Sequence, residues 1–214
     1  MPIAKIIIDF DDTLFDTASM KEDLLALFAR FGVPVEKFWE TYRASYSRND
    51  LASYNLWHHI DIVCEQFSNL DKKSLLIEAE ALFKNSKKYL LDGVEDFLNE
   101  LRGLGVPLIL LSLGDADWQK QKVESVGVSK FFNEVIFTGR NKKETVQLLI
   151  KDAIDDIIFI NDKISETQEI TALSGQIKPI LRMKNGAAVS DYEQSGIPYF
   201  KNFSEILTRV KNYV

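Results

Sequence analysis

The chain has little cysteine and little histidine: one Cys, Cys64, and two His, His58 and His59, in 214 residues. A lone thiol forms no intramolecular disulfide and no multi-cysteine metal site, which fits a reducing compartment and reads Cys64 as a small buried apolar residue. His59 falls on a helical stripe with Leu56 and Val63, so the histidine pair reads as structural rather than ligating. Positive charge is also short: 26 Lys and Arg face 32 Asp and Glu, for a net charge of -6 and no long basic run. That excludes a general field for nucleic acid, and an anionic substrate would need locally placed cations. No stretch reaches the ~20 apolar residues of a membrane span. The apolar run at the amino end is broken by Asp9 and is too short for a signal peptide. The expectations are therefore no nucleic acid, no membrane, and a cytoplasmic location. Neither repeats nor low-complexity linkers occur. The apolar fraction of 46% and charged fraction of 27% are those of a folded chain, long enough for one core carrying a smaller inserted module.

What the sequence has in quantity is short β-branched runs. Ile3 to Phe10 is apolar apart from Lys5 and Asp9 and reads as a strand buried on both faces, as in parallel sheets. Similar runs follow at Pro107 to Leu113, Glu134 to Phe137, Ile157 to Ile160 and Ile177 to Leu181, with a weaker one at Pro198 to Phe200. Helical stripes alternate with them: Val94, Phe97, Leu98 and Leu101; Val146, Leu149 and Ile150; and Ile206, Leu207 and Val210 behind an Asn202 to Glu205 capping box. The alternation predicts an α/β fold with a doubly wound parallel sheet. Residues 18–90 break the rhythm with helical patterns alone. Ser19 and Glu22 suggest a capping box before Leu24, Leu27, Phe28 and Phe31, with Gly32 as the stop, and Leu56, Ile60, Val63 and Phe67 form a further stripe. This reads as a helical insertion that covers the carboxyl edge of the first strand.

In open α/β sheets ligands bind at the carboxyl ends of the strands. The first strand, in "IIIDFDDTLFDT", delivers Asp9, Asp11, Asp12 and Thr13, and three carboxylates so close repel unless something offsets them. The second, "PLILLSLGD", ends in Ser112 and Gly114, a hydroxyl and a turn able to aim N–H groups at an anion. After the third, "FTGRNKKETV" sets Lys142 and Lys143 at a helix start, against the helix dipole, which costs up to about 1 kcal/mol without a compensating anion. The fourth, "IIFINDKISE", brings Asp162 and, one turn on, Glu166. Hard oxygens in that number suit Mg²⁺ sharing its site with a phosphate, and a carboxylate so placed could attack phosphorus.

These segments, "DFDDTL", the hydroxyl after the second strand, the lysine at a helix start, and "ND" with an acid four residues on, resemble the four motifs of the haloacid dehalogenase superfamily. "YLLDGVEDFLNELRGLGVPLILLSLG" is similar to the stretch leading from a cap into the second motif. The resemblance implies a Rossmann-like core formed by residues 1–17 and 91–214 with a helical cap over 18–90. It implies that Asp9 is the nucleophile, forming an aspartyl-phosphate, and that Asp11 is the acid and base. Mg²⁺ would be held by Asp9, the Asp11 carbonyl, Asp162 and Glu166. Thr13, Ser112 and Lys143 would serve the phosphate, with Lys142 competing for the place of Lys143. Two positions depart from the pattern: Leu113 stands where many members have Asn, and Asn161 where Gly is usual, a place where Asn tolerates left-handed backbone. Phe38, Trp39, Tyr42, Tyr46, Tyr54 and Trp57, with Arg43 and Arg48 among them, read as cap core or as an aromatic pocket with an anion contact.

The reading is a Mg²⁺-dependent phosphomonoester hydrolase for a small phosphorylated metabolite. A phosphomutase would use the same residues. A receiver-like phospho-accepting domain would need its reactive Asp on a later strand about 50 residues in, where this chain reads as helix around Trp57. A non-catalytic phospho-binding protein is the remaining alternative.

Overall fold

The computed structural model describes residues 2–47, 53–139, 141–151 and 153–214. Among them, six strands form one parallel sheet: β1 (Ile3–Ile8), β2 (Leu108–Leu113), β3 (Glu134–Thr138), β4 (Asp156–Asn161), β5 (Ile177–Arg182) and β6 (Tyr199–Phe200). Their order is β3-β2-β1-β4-β5-β6. The chain winds outward from β1 on one side and from β4 on the other, so the crevice for a ligand opens between the carboxyl ends of β1 and β4. Arg48, expected near the aromatic group, lies outside the described residues.

Period-2 alternation explains why the strands are apolar throughout. Ile6 and Ile8, Leu108 and Leu110, and Ile158 and Ile160 pack on one face. Ile7, Ile109, Leu111, Ile157 and Phe159 pack on the other. The register aligns Leu110, Ile8, Ile160 and Ile180 in one row across the sheet. The Asp9 N–H continues the ladder to the Ile160 carbonyl at 2.9 Å. Asp9 and Asn161 therefore emerge side by side just past a fully buried row.

Four helices follow β1: α1 (Thr17–Arg30), α2 (Val35–Ser47), α3 (Leu56–Gln66) and α4 (Lys72–Lys84). α5 (Val94–Gly103), α6 (Ala116–Val126), α7 (Lys142–Ile150), α8 (Ile164–Thr171), α9 (Val189–Ser195) and α10 (Phe203–Lys211) alternate with the later strands. The start of α1 differs from the expected capping box at Ser19. Asp16 is the cap, accepting from the Ser19 N–H at 3.0 Å, because its own N–H is anchored to the Tyr89 carbonyl at 2.7 Å. The capping box of α10 at Asn202 and Glu205 is present. Leu24, Phe28, Phe38, Leu56, Ile60 and Leu75 of the inserted helices share one buried cluster with Ile6 and Ile8. Among the described residues no helix is long and apolar enough to cross a membrane.

His59, on α3, is fully buried against α1 and α2 and stacks on Phe28 at 4.7 Å. Thr41 Oγ1 donates to the Lys37 carbonyl at 2.8 Å and lies 2.8 Å from His59 Nε2, while Tyr54 O–H lies 3.1 Å from Nδ1. With the threonine proton engaged, Nε2 donates to Thr41 and Nδ1 accepts from Tyr54, so the ring is neutral. Desolvation pushes its pKa down from 6.5 to about 4. The folded-state value is depressed, so this contribution to stability is present above pH 6.5 and is lost as pH falls toward 4. Urea unfolding at pH 7 and pH 5 should show wild type losing about 2 kcal/mol more than His59→Gln. Equal losses would remove His59 from the account.

Candidate active site

Asp9 leaves β1 almost fully buried and is pinned at both oxygens. Lys142 Nζ donates to Oδ1 at 2.6 Å and Thr13 Oγ1 donates to Oδ2 at 3.0 Å. Burial pushes its pKa up, aided by Asp11 and Glu166, and Lys142 opposes the rise. The N–H groups of Thr13, Leu14 and Phe15 all turn back to the Phe10 carbonyl. This turn places Asp12 at φ 57, and it is the one non-glycine with positive φ among the described residues. Such a conformation costs roughly 1 kcal/mol or more in an L residue. A clasp from the end of β5 and just past it holds it: Arg182 Nη1 donates to the Asp12 carbonyl at 2.8 Å, and Lys184 pairs with the Asp12 carboxylate. Thr13 was expected to serve the phosphate; its hydroxyl proton is instead directed at Asp9.

Asp11 has its own network. Its Oδ1 accepts from Lys122 Nζ at 2.5 Å and from Thr17 at 3.1 Å, and its Oδ2 accepts from Gln119 Nε2 at 2.8 Å. Burial works to raise the carboxyl pKa, but Lys122, Gln119 and Thr17 together outweigh it and leave the pKa lowered. Asp11 therefore rests as a carboxylate. Gly114 makes room for this arrangement: at φ 151, a Cβ there would sit 2.6 Å from Gln119 Nε2.

Lys142, and not Lys143, is the lysine at the carboxylates. Lys142 is 4% exposed and bridges Asp9 to Glu166 Oε2 at 2.7 Å, whereas Lys143 is exposed. Asn141 caps α7 by accepting from the Glu144 N–H at 3.0 Å, which starts the helix at Lys142. Position 142 then lies one turn before Val146, on the face toward the sheet, and 143 is rotated by about 100° to solvent. Two carboxylates more than offset the desolvation of Lys142, and its pKa is raised.

Glu166, expected to close the metal shell, serves as the counter-ion of Lys142. Asn161 Nδ2 donates to the same Oε2 at 3.0 Å and to Thr167 Oγ1 at 3.1 Å. Asn161 sits in β4 without positive φ, so its left-handed expectation is corrected too: its amide is needed, not its backbone freedom. The Asp162 carboxylate accepts no hydrogen bond among the described residues. Desolvation first, then repulsion from Asp9 and Asp12, pushes its pKa up to about 7. The Ser112 Oγ, at the end of β2, is fully buried and has no partner among the described residues.

Two cavities meet here. One of about 700 Å³ is lined by Asp9, Asp12, Lys142, Asp162, Glu166 and Lys184. Another of about 410 Å³ is lined by Tyr42, Tyr46, Tyr54, Trp118, Gln119 and Lys122. Asp11 and Leu113 stand in the walls of both. A larger cavity of about 830 Å³ lies between α5 and α10 and touches none of Asp9, Asp11 or Asp162.

A sequence profile described as haloacid dehalogenase-like hydrolase matches residues 3–163. The chain belongs to the haloacid dehalogenase-like hydrolases. Mouse N-acylneuraminate-9-phosphatase is 25% identical over 159 residues, covering 66% of this chain and 64% of that protein. The match thus spans under two thirds of that relative's length. Among solved structures, one described as a haloacid dehalogenase-like hydrolase of Burkholderia xenovorans superposes at TM-score 0.72 with 18% identity, over 96% of this chain and 98% of that one. L-2-haloacid dehalogenase from Xanthobacter autotrophicus, with chloropropionic acid covalently bound, gives TM-score 0.64 at 12% identity over 100% of both chains. At these identities the structures show a shared fold.

For a haloacid dehalogenase-like hydrolase, a divalent ion is tested by the donors present. Among the described residues no three or more His, Cys, Asp or Glu side chains converge as a metal site. Two carboxylates do crowd one cavity: Asp9 with a raised pKa, and Asp162 with no hydrogen-bond donor of its own. Two carboxylates plus the Asp11 carbonyl, all hard oxygens, fit Mg²⁺, which keeps several waters and needs no all-protein cage.

Thr17, Gln119, Lys122, Arg182 and Lys184 were not singled out from the sequence. Gln119 and Lys122 carried a signal, since both fall on the buried stripe of α6 with Trp118, Val123 and Val126. The clasp from Arg182 and Lys184 needs the sheet order and had no local signature.

Lys142→Ala should leave Asp9 and Glu166 without a counter-charge and cost about 3–5 kcal/mol in urea unfolding. Lys143→Ala should stay within about 0.5 kcal/mol of wild type. The reverse order would place the functional lysine at 143.

Proposed function

We propose that the protein is a Mg²⁺-dependent phosphomonoester hydrolase that acts through an aspartyl-phosphate on Asp9, with a small phosphorylated metabolite as substrate. One observation carries this reading. A nucleophile-grade carboxylate, pinned by Lys142 and Thr13, shares an edge of the sheet with the unpartnered, buried hydroxyl of Ser112. That hydroxyl is a donor kept for an anion.

Asp9 attacks phosphorus, and the Lys142 ammonium offsets charge first on the carboxylate and then on the transferred group. The Ser112 O–H donates to a phosphoryl oxygen. Asp11, in the wall between the two cavities, faces both the phosphoryl group and the leaving oxygen. Carrying a proton, it protonates the leaving group; as the carboxylate held by Lys122 and Gln119, it takes a proton from the water that cleaves the acyl-phosphate bond. The resting geometry favours the second of these two jobs. Asp9, the Asp11 carbonyl and Asp162 would hold Mg²⁺, which supplies charge neutralisation for the phosphoryl group when bound. Asp11 also supports a phosphoester over a haloacid substrate, since a halide leaving group needs no proton and an alkoxide does. The phosphatase named among the relatives supports the same class.

Asp9→Asn, or excess chelator, should abolish release of phosphate from an aryl phosphate. Asp11→Asn should still form the covalent intermediate with an aryl ester and hydrolyse it slowly, giving a phenol burst matched to enzyme concentration. With an alkyl ester the same variant should give no burst. Rapid quench with intact-mass measurement reads both, and full activity of Asp9→Asn would sink the assignment. An isomeric phosphate in place of free phosphate would reassign the protein as a mutase.

A further inference from the structure

We infer that the cavity of about 410 Å³ receives the body of a phosphorylated hydroxy acid, with the carboxylate of the ester against Lys21 and its hydroxyls on Ser53, Gln119 and the cap tyrosines. This rests on the phosphoester reading above, and it specifies which esters.

Charge is the first argument. Among the described residues, the ionic ones lining the cavity are Asp11, Lys21 and Lys122. Asp11 and Lys122 pair at 2.5 Å and cancel. Lys21 remains, with its ammonium 5.7 Å from the Tyr42 ring centroid and no carboxylate partner among the described residues. An unbalanced cation in a concave site selects an anionic group on the ligand. Arg43, the cation first expected beside these aromatics, is exposed and lines none of the cavity.

Unsatisfied polar groups are the second. Ser53 and Gln119 are 8% and 5% exposed, and Ser53 Oγ and Gln119 Oε1 have no partner among the described residues. Buried polar atoms without partners are rare and costly, so two on one cavity point to a ligand that supplies hydroxyls. Tyr42 and Tyr46 add a third position. Their oxygens are 3.0 Å apart, so one bond uses one of two protons and leaves an O–H to donate.

The aromatic faces exclude the other obvious body, a nucleobase. Tyr42 stacks on Tyr54 at 4.5 Å, Trp118 meets Tyr54 edge-on at 5.7 Å, and Phe83 lies 5.0 Å from Trp118. These rings engage one another and present hydroxyls and edges, which suit a polyol rather than a stacked base.

The experiment uses matched pairs of esters that differ only by a terminal carboxylate or hydroxymethyl group: aldonate and alditol phosphates of four, five and six carbons, phosphorylated at the far end. A nucleoside 5′-monophosphate and p-nitrophenyl phosphate complete the panel. At least one aldonate phosphate should exceed its alditol partner in kcat/KM by about tenfold or more, the size of one charge-assisted contact. Lys21→Met should bring that ratio close to one, mainly through KM, and Ser53→Ala should lower both members without changing it. Calorimetric binding of the free aldonate, weakened by Lys21→Met, is read in parallel. Hydrolysis of p-nitrophenyl phosphate with no aldonate preference, or with the nucleotide preferred, overturns the inference and leaves the phosphatase reading standing. Aldonate binding that depends on Lys21, without turnover of any ester, supports the ligand class and overturns the phosphatase reading. No binding and no preference in any pair overturns the inference outright.

Discussion

Three carboxylates follow one another at the end of the central strand, and each is held by a lysine from a different part of the chain. Lys142 from α7 takes Asp9, Lys122 from α6 takes Asp11, and Lys184 from beyond β5 takes Asp12. The first two ammoniums are 4% and 3% exposed. Buried pairs of this kind add little net stability over apolar packing, but removing one partner strands a charge and is expensive. The turn, α6, α7 and the far edge of the sheet are thereby obliged to assemble around one another. Beyond these three pairs stand Glu166, which shares Lys142 with Asp9, and Asp162, whose pKa is raised by burial first and then by Asp9 and Asp12.

Asp11 occupies the dividing wall of this arrangement. One cavity holds the nucleophile and its lysine, and the other is lined by hydroxyls and aromatic edges. The separation follows from sheet geometry, because strand ends supply the reacting groups and the inserted helices supply the opposite wall. It also explains how one fold serves the different chemistries seen among its structural neighbours, since function resides in the grafted residues and not in the sheet.

The strands were legible because each is a β-branched run with both faces buried, and the register then fixed where Asp9, Ser112 and Asp162 emerge. The expected order of motifs also led to the family. The lysine was misplaced by one position although the stripe of Val146, Leu149 and Ile150 pointed to 142; periodicity was applied to the apolar residues and not extended to the charged one. Thr13 and Glu166 were found as site residues with other partners than expected, since spacing gives proximity and not the direction of a hydrogen bond. Asn161 was read as a backbone concession when its amide bridges Glu166 and Thr167. Lys122 and Gln119 could have been seen as polar residues on a buried helical face. Arg182 and Lys184 could not, because only the pairing of β1 with β4 and β4 with β5 brings them to Asp12.

That last pairing bears on how the protein is made. The Arg182 contact that holds the left-handed backbone of Asp12 is separated from it by 170 positions, and that of Lys184 by 172. A chain made only as far as residue 163, where the family profile ends, carries Asp9, Ser112, Lys142 and Asp162 and lacks both restraints. Contacts between such distant positions form late, after the entropy of closing the intervening loop has been met. The Asp12 turn thus gains its restraints only when the fifth strand docks, long after its own residues have been made.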